Sequence, residues 1–226
     1  MTSVLKYTQG KSLCLPTAPD SVRGFMQDLP LSWQTEGLML KKGSRSTVIL
    51  VTLEQQSYVV KIYKKMPLHR RLRYALTKSR AFQSWDCGQL MCAANLPVAR
   101  PLAIIEERTF GVPGRAALLM EAVGGDDLLS IVNNNTRSDD ELKTIASKLK
   151  NSFDRMRDLK ITHGDMKATN ILVDENLDLK LIDIDAAKQH CSPSSFLKAK
   201  EKDRLRFLAN WKNKPLALDI FRSVYS

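Results

Sequence analysis

One polar stretch, ITHGDMKATNILVDENLDLKLIDID from Ile161 to Asp185, constrains this chain more than any other part of it. Its two short apolar runs, NILV and LKLI, predict two strands, and the turn at Glu175–Asn176 between them predicts a hairpin. These residues form either an ordinary solvated turn or a site for metal and phosphate. The order His-Gly-Asp-x-Lys-x-x-Asn, followed by an apolar strand that ends in Asp, favours the second interpretation.

Phosphoryl transfer from a nucleotide requires a carboxylate near the attacking hydroxyl, oxygen ligands for Mg²⁺ and a cation for the phosphates. The stretch supplies each of these groups. Asp165 is the candidate base, and Lys167 is expected against the γ-phosphate. Asn170 and Asp183 are candidate Mg²⁺ ligands, because hard oxygen donors suit this ion. Asp185 is either a further metal ligand or a structural acid.

The rest of the chain divides into a β-rich half and a helical half. From Gly37 onward three β-rich runs, at 38–40, 47–53 and 58–63, predict an antiparallel meander. A basic segment of helical character follows, and then two β-like runs, RPLAIIEE and RAALLMEAV. The later half begins with SDDELKTIASKLKNSFDRMRDL, an amphipathic helix whose first turn contains a capping-box sequence. A last helix is predicted from Phe196 to about Trp211.

These pieces occur in the order found in the protein-kinase-like superfamily, and HGDMKATNILV…LIDID resembles the catalytic and metal-binding loops of that superfamily. YVVKIY resembles the strand with the ATP-binding lysine, which gives that role to Lys61. The resemblance implies an α+β, bilobal protein-kinase-like fold. It divides the chain into an N-terminal extension (1–36), an N-lobe with an antiparallel sheet and one helix (37–123), and a small, mainly helical C-lobe (124–226).

The segment LLMEAVGGDDLLSIV resembles a kinase hinge. The resemblance implies that Met120 is the gatekeeper and that Glu121 to Val123 offer backbone groups to adenine. Asp126 or Asp127 is then expected near the ribose. For these two aspartates a plain helix N-terminus is the alternative interpretation.

Several positions depart from the kinase pattern. The glycine-rich phosphate loop is reduced to KKGSRSTVI, whose single glycine is Gly43, and Ser44, Ser46 and backbone amides are left to cover the phosphates. Gly164 replaces the arginine that reads a phosphorylated activation loop in many protein kinases, so that form of control is not expected. Asp-Phe-Gly is replaced by Asp-Ile-Asp, ending at Asp185. We interpret His163 as a packed structural histidine and not as a proton carrier.

The strand lysine of a kinase ordinarily pairs with a helix glutamate, and this chain lacks that glutamate. Between Glu54 and Glu106 the single acid is Asp86, which shares a helical face with apolar neighbours and could point toward Lys61. The alternatives are Gln83 or no ionic partner.

The length of the sequence after Asp183 indicates which kind of molecule accepts the phosphate. Only 43 residues follow Asp183 (226 minus 183), whereas protein kinases use this region for an activation segment, an Ala-Pro-Glu anchor and several helices. A peptide-docking platform is therefore not expected, and a sugar or other small acceptor is. A minimal Ser/Thr protein kinase remains an alternative, because Asp-x-Lys-x-x-Asn is typical of that class. A non-catalytic, nucleotide-binding regulator is the second alternative, because the glycine loop is reduced and the helix glutamate is missing.

Four segments narrow the resemblance: SRAFQSW, LPVARPLAIIEER, HGDMKATNILVD…LIDIDAAK and KDRLRFLANW. Together they are similar to the bacterial lipopolysaccharide core kinases of the Kdo and heptose kinase family, over residues 38 to 222. That family implies ATP and Mg²⁺ as cofactors and a hydroxyl of an inner-core sugar as acceptor, at the cytoplasmic side of the inner membrane. It also implies that Asp203 braces the catalytic loop, with a surface acid as the alternative.

The chain is strongly basic, with 35 Lys and Arg against 24 Asp and Glu and a formal net charge of +11, which predicts an anionic partner. Nucleic acid is not expected, because no basic-aromatic motif occurs. Residues 61–80 contain no acid, and we interpret them as facing anionic lipid or lipid A phosphates; a solvated helix face is the alternative. The lack of an apolar leader, a spanning stretch or paired cysteines favours a cytoplasmic location with peripheral membrane contact. Nothing in the sequence indicates an oligomeric state.

Overall fold

The computed structural model describes residues 3, 5, 7 and 9–225, with the backbone alone for residues 70 and 73. The chain forms two compact units, one from residues 1–86 and 100–122 and the other from residues 87–99 and 123–226. The segment 87–99, which the sequence places with the first lobe, therefore belongs to the second unit. Cys87 and Met91 of this segment are buried in the core of the second unit, which explains why the segment belongs to that unit.

The first unit is built on a six-stranded sheet with the strand order β1-β5-β6-β4-β3-β2, in which all neighbours are antiparallel. Its elements along the chain are β1 (Gly10–Cys14), α1 (Asp20–Asp28), β2 (Leu38–Lys42), β3 (Ser46–Leu53), β4 (Gln56–Tyr63), α2 (Leu68–Ala75), α3 (Arg80–Ala93), β5 (Pro101–Thr109) and β6 (Val112–Glu121). Strands β2 to β4 form the meander that the alternating apolar pattern predicts. The helix α3 continues into the second unit.

The sequence before residue 37 contributes to this sheet. Strand β1 pairs with β5, from Gly10 opposite Glu107 to Cys14 opposite Ala103. Helix α1 packs on the same strand and buries Val22. The described part of residues 1–36, predicted as an extension, thus adds an edge strand and a helix to the first unit.

The second unit is mainly helical and contains short strands. Its further elements are β7 (Asp126–Asp127), α4 (Leu128–Asn134), α5 (Asp139–Asp158), β8 (Ile161–Thr162), β9 (Ile171–Val173), β10 (Leu179–Leu181), β11 (Lys188–Gln189), α6 (Pro193–Leu208) and α7 (Pro215–Arg222). Helix α5 begins with the predicted capping box, because Ser138 Oγ accepts from the N–H of Glu141 and the Glu141 carboxylate accepts from the N–H of Ser138. Its apolar face, with Leu149 at the centre, lies in the core of the unit.

The predicted hairpin is formed by β9 and β10, which pair from Ile171 opposite Leu181 to Val173 opposite Leu179. Strand β7 adds to the other side of β9. The last predicted helix corresponds to α6, which begins three residues earlier than predicted because Ser192 caps it and Pro193 occupies its first position.

An antiparallel sheet with helices in one unit and a helical second unit confirm the predicted α+β, kinase-like fold class. Among the helices of the described residues, none is both long and apolar enough to cross a membrane.

Candidate active site

Asp165 lies in the loop between β8 and a 3₁₀ turn at Ala168–Asn170, and two cations hold its carboxylate. Lys167 Nζ is 3.1 Å from Asp165 Oδ2, and Arg206 Nε of α6 is 2.9 Å from Oδ1. The contact with Arg206 is an ion pair without hydrogen-bond geometry, because Oδ1 is buried and accepts no hydrogen bond. The side chain of Asp165 remains 28% exposed and is therefore partly accessible from solvent.

The buried side chain of His163 holds the start of this loop through hydrogen bonds. The imidazole ring is fully buried. Its Nδ1 accepts a hydrogen bond from the N–H of Asp165 (3.4 Å). The ring proton therefore lies on Nε2, which donates to Ile182 O (3.0 Å). Burial lowers the pKa of His163, which keeps the ring neutral near pH 7. The geometry confirms the prediction of a packed structural histidine.

Gly164 turns the loop, and Asp203 of α6 holds the turn. Gly164 has φ +79°, and a Cβ at this position would lie 2.3 Å from Ala186 O. The backbone N–H groups of His163 and Gly164 donate to Asp203 Oδ2 at 2.8 and 3.0 Å. Asp203 is buried, so the alternative of a surface acid is excluded and its predicted bracing role is confirmed.

Asn170 and Asp183 lie next to each other at the base of the β9–β10 hairpin. Asn170 Nδ2 donates to Asp165 O (2.8 Å), which leaves the side-chain oxygen of Asn170 as the acceptor. Ile182 N–H donates to Asn170 O (3.0 Å), and Asp183 follows directly, with φ +58°. Asp185 is half-buried two residues later, in the 3₁₀ turn Ile184–Ala186.

This donor set is of the kind that Mg²⁺ takes in kinases. No group of three or more His, Cys, Asp or Glu side chains that could hold a metal ion occurs within the part of the chain that the structure describes. Mg²⁺ does not require such a group, because it is commonly held by one or two carboxylates together with water and substrate phosphate oxygens. An Asn oxygen and the Asp183 carboxylate fit that mode of binding.

Lys61 lies on β4, an inner strand of the first unit, and is buried although it is a lysine. Its neighbours across the sheet are Val48 on β3 and Leu118 on β6, and its Nζ is 5.7 Å from the centre of the Tyr63 ring. A lysine among apolar neighbours on an inner strand is unusual in a protein core. This position agrees with the lysine of the kinase strand, and its contact with a nucleotide stays a prediction.

Asp86 on α3, the predicted partner of Lys61, forms an ion pair with Lys78. Gln83, the alternative partner, donates its side-chain N–H to Lys78 O (2.9 Å). Both side chains thus contact the segment that leads into α3. The pairing of Lys61 with Asp86 stays a prediction.

The reduced glycine loop is the three-residue connection at 43–45 between β2 and β3. Gly43 N–H donates to Ser46 O (2.9 Å), and Gly43 O accepts from Lys64 Nζ (2.8 Å). Ser44 is exposed. The connection is therefore a tight turn, with a basic side chain bound to its backbone.

The predicted hinge residues occupy the end of β6 and the loop after it. Met120 and Glu121 end β6, and Val123 lies in the segment that leads to β7. Asp127 is the N-cap of α4: Ser130 N–H donates to its Oδ1 (3.0 Å) and Ser130 Oγ to its Oδ2 (2.6 Å). Both carboxylate oxygens of Asp127 thus accept hydrogen bonds at the N-terminus of α4, as the alternative interpretation of a plain helix N-terminus predicts.

The contact of Arg206 with Asp165 was not predicted from the sequence. A signal for it existed, because Arg206 follows the bracing Asp203 by three residues in KDRLRFL and therefore lies on the same face of a helix. One face of α6 thus holds both the backbone of the loop and the side chain of Asp165.

The fold and the loop order define the class of protein-kinase-like phosphotransferases. The chain belongs to the lipopolysaccharide kinase (Kdo/WaaP) family, whose family model matches residues 32–219. This match confirms the family that the four sequence segments resemble. No curated protein gave a significant match to the chain. A kinase role on lipopolysaccharide follows from the family.

Proposed function

We propose that this chain transfers the γ-phosphoryl group of ATP, with Mg²⁺, to a hydroxyl group of an inner-core sugar of lipopolysaccharide. The observation that carries the proposal is the fixed loop around Asp165. Its backbone is held by Asp203 and His163, and its carboxylate is within 3.1 Å of Lys167 Nζ. Membership of a lipopolysaccharide kinase family supports the acceptor class.

In the proposed reaction Asp165 orients the acceptor hydroxyl and takes its proton. The acceptor oxygen bonds to the γ-phosphorus while the bond from this phosphorus to the β–γ bridging oxygen breaks, and ADP leaves. Lys167, which contacts Asp165 in the structure, neutralises charge on the transferred group. Because hydrogen bonds fix the loop backbone at His163, Gly164 and Asp165, the carboxylate does not have to reorganise during the reaction.

The Asn170 oxygen and the Asp183 carboxylate would hold Mg²⁺, with Asp185 as a further candidate ligand. When bound, the ion neutralises the phosphate oxygens of ATP and favours departure of ADP. Lys61 is proposed to contact the ATP phosphates, and its buried position supports that role. Gly43 and Ser44 are proposed to cover the phosphates, and Met120 to Val123 to border the adenine. The ribose is proposed to lie near Asp126 or Asp127.

The proposed acceptor is a membrane lipid, so we propose that the enzyme works in the cytoplasm at the inner face of the inner membrane. The strongly basic composition supports contact with an anionic surface.

Labelled ATP with Mg²⁺, offered core lipopolysaccharide or a generic protein, tests the proposed acceptor. The wild type is compared with Asp165→Asn and with Glu175→Gln, an exposed acid in the turn of the same hairpin. We expect label on lipopolysaccharide with the wild type and Glu175→Gln, and none with Asp165→Asn. Label on protein alone would support a minimal Ser/Thr protein kinase, and nucleotide binding without transfer would support a regulator; either result contradicts the proposal.

A further inference from the structure

Helix α2 (Leu68–Ala75) lies on the first unit with Arg71 on its protein-facing side. It packs against β6, where Arg71 Nε donates to Pro113 O (2.7 Å). Arg71, Tyr74 and Ala75 are half-buried in this contact. An arginine thus occupies the protein-facing side of the helix, where a surface helix of a globular protein ordinarily places apolar residues.

An exposed side of α2 carries three leucines. Leu68, Leu72 and the C-cap residue Leu76 follow one another at intervals of four and lie on one side of the helix. They are 61%, 52% and 92% exposed. Single exposed leucines are ordinary, but a row of them on one helix side marks a contact surface.

Basic residues flank this leucine row on both sides. Lys64 and Lys65 precede the helix and are exposed, while Lys78 and Arg80 follow it. Residues 61–80 contain no Asp or Glu. A row of leucines between clusters of cations is the pattern of a helix that lies in a membrane interface.

We propose that α2 docks on an anionic lipid bilayer, with Leu68, Leu72 and Leu76 inserted at the boundary between headgroups and acyl chains. A bilayer suits both features, because its interior accepts the leucines and its anionic surface attracts the flanking basic residues. A second copy of the chain fits less well. A two-fold dimer would bring the acid-free segment against itself, and like charges in such a contact repel.

This inference deepens the proposed function, because it rests on a membrane lipid as acceptor and assigns the surface that reaches it. The docked helix would keep the enzyme at the bilayer surface, where the local concentration of a lipid-linked sugar is high. The test below contains no ATP and no lipopolysaccharide, so its outcome and that of the kinase assay are independent.

Flotation of the whole protein with vesicles tests the docking surface. One vesicle preparation is phosphatidylcholine alone, and the other contains a third of phosphatidylglycerol. The test variant carries Leu68→Gln, Leu72→Gln and Leu76→Gln. The control variant carries Leu31→Gln, Leu197→Gln and Leu216→Gln at exposed leucines elsewhere, 88%, 62% and 54% exposed.

We expect the wild type and the control variant to float with the anionic vesicles and to float weakly with the neutral ones. The test variant should partition on the order of tenfold less or worse, because three leucine side chains no longer leave water. Equal flotation of the test variant and the wild type would overturn the inference, and so would equal binding of the wild type to both vesicles. A wild-type dimer in solution that the test variant dissociates would also overturn it, in favour of a second copy as the occupant.

Insertion itself can be measured by fluorescence. The tryptophans of the chain (Trp33, Trp85 and Trp211) are all buried, so brominated lipid should quench them little. A Leu72→Trp variant adds an indole on the outer side of α2. We expect brominated anionic vesicles to quench this added fluorescence, and unquenched Leu72→Trp emission in the bound protein would contradict insertion.

Discussion

At the scale of single residues, Gly164 determines whether the loop before Asp165 can adopt its backbone conformation. Its positive φ is strained for any residue with a Cβ, and Ala186 O leaves no room for one. The glycine at this position, where many protein kinases have an arginine, therefore has a structural reason. Arg206 supplies a guanidinium next to Asp165 from another part of the chain.

We predict that Gly164→Ala lowers the free energy of unfolding by about 2 kcal/mol, through backbone strain and the clash with Ala186 O. Urea denaturation measures the change. Gly24→Ala, in α1 with nothing within 4 Å of its added Cβ, is the matched control and should raise stability by about 0.5–1 kcal/mol. A Gly164→Ala protein as stable as the wild type would show that the loop path is different.

His163 gives the second prediction at this scale, a dependence of stability on pH. Burial holds the pKa of His163 below its ordinary value, so the folded protein keeps the ring neutral where the unfolded chain takes up a proton. The contribution of His163 is therefore fully present above about pH 6.5 and is lost as pH falls toward the lowered folded-state pKa. His190, whose pKa burial also lowers, acts in the same direction.

Denaturation between pH 7.5 and 5 measures this dependence. We expect the free energy of unfolding of the wild type to fall across this range, and His163→Gln to show a shallower fall from a lower starting value. An identical slope in His163→Gln would contradict the buried neutral ring.

At the scale of elements, α5 packs against β8, the strand that precedes the loop around Asp165. The first turn of α5 depends on Ser138. We predict that Ser138→Ala lowers the free energy of unfolding by about 1 kcal/mol, because the N–H of Glu141 loses its acceptor. Ser192→Ala at the start of α6 should have a smaller effect, because its contact to Ser195 N is longer, at 3.5 Å. Thermal denaturation of both variants compares them, and the reverse order would contradict the assigned caps.

The same scale shows what the sequence could predict. The β9–β10 hairpin, α5 and its capping box were predictable, since each depends on residues close together in the chain. Strand β1 was not, because its partner β5 lies some ninety residues later and the segment GKSLC has no strand pattern of its own. Arg206 was missed for a related reason, since its contact with Asp165 exists only after α6 packs on the loop.

At the scale of the whole molecule, the family match spans residues 32–219 and so includes part of both compact units. Strand β1 and α1 lie before the matched range, which is why the resemblance gave no information on them. The candidate base Asp165 and the candidate metal ligands all lie in the second unit, within 20 residues of one another in sequence. Their roles are predictions from spacing, whereas the contacts that fix them required the structure.

The rate of phosphoryl transfer by Asp165→Asn tests the central claim most directly. Single-turnover transfer from labelled ATP to core lipopolysaccharide should fall by about 100- to 10,000-fold, the typical contribution of a general base, while binding of Mg²⁺–ATP stays close to that of the wild type. Glu175→Gln should transfer at the wild-type rate. Transfer by Asp165→Asn at the rate of Glu175→Gln would contradict the assignment of this loop as the site of phosphoryl transfer.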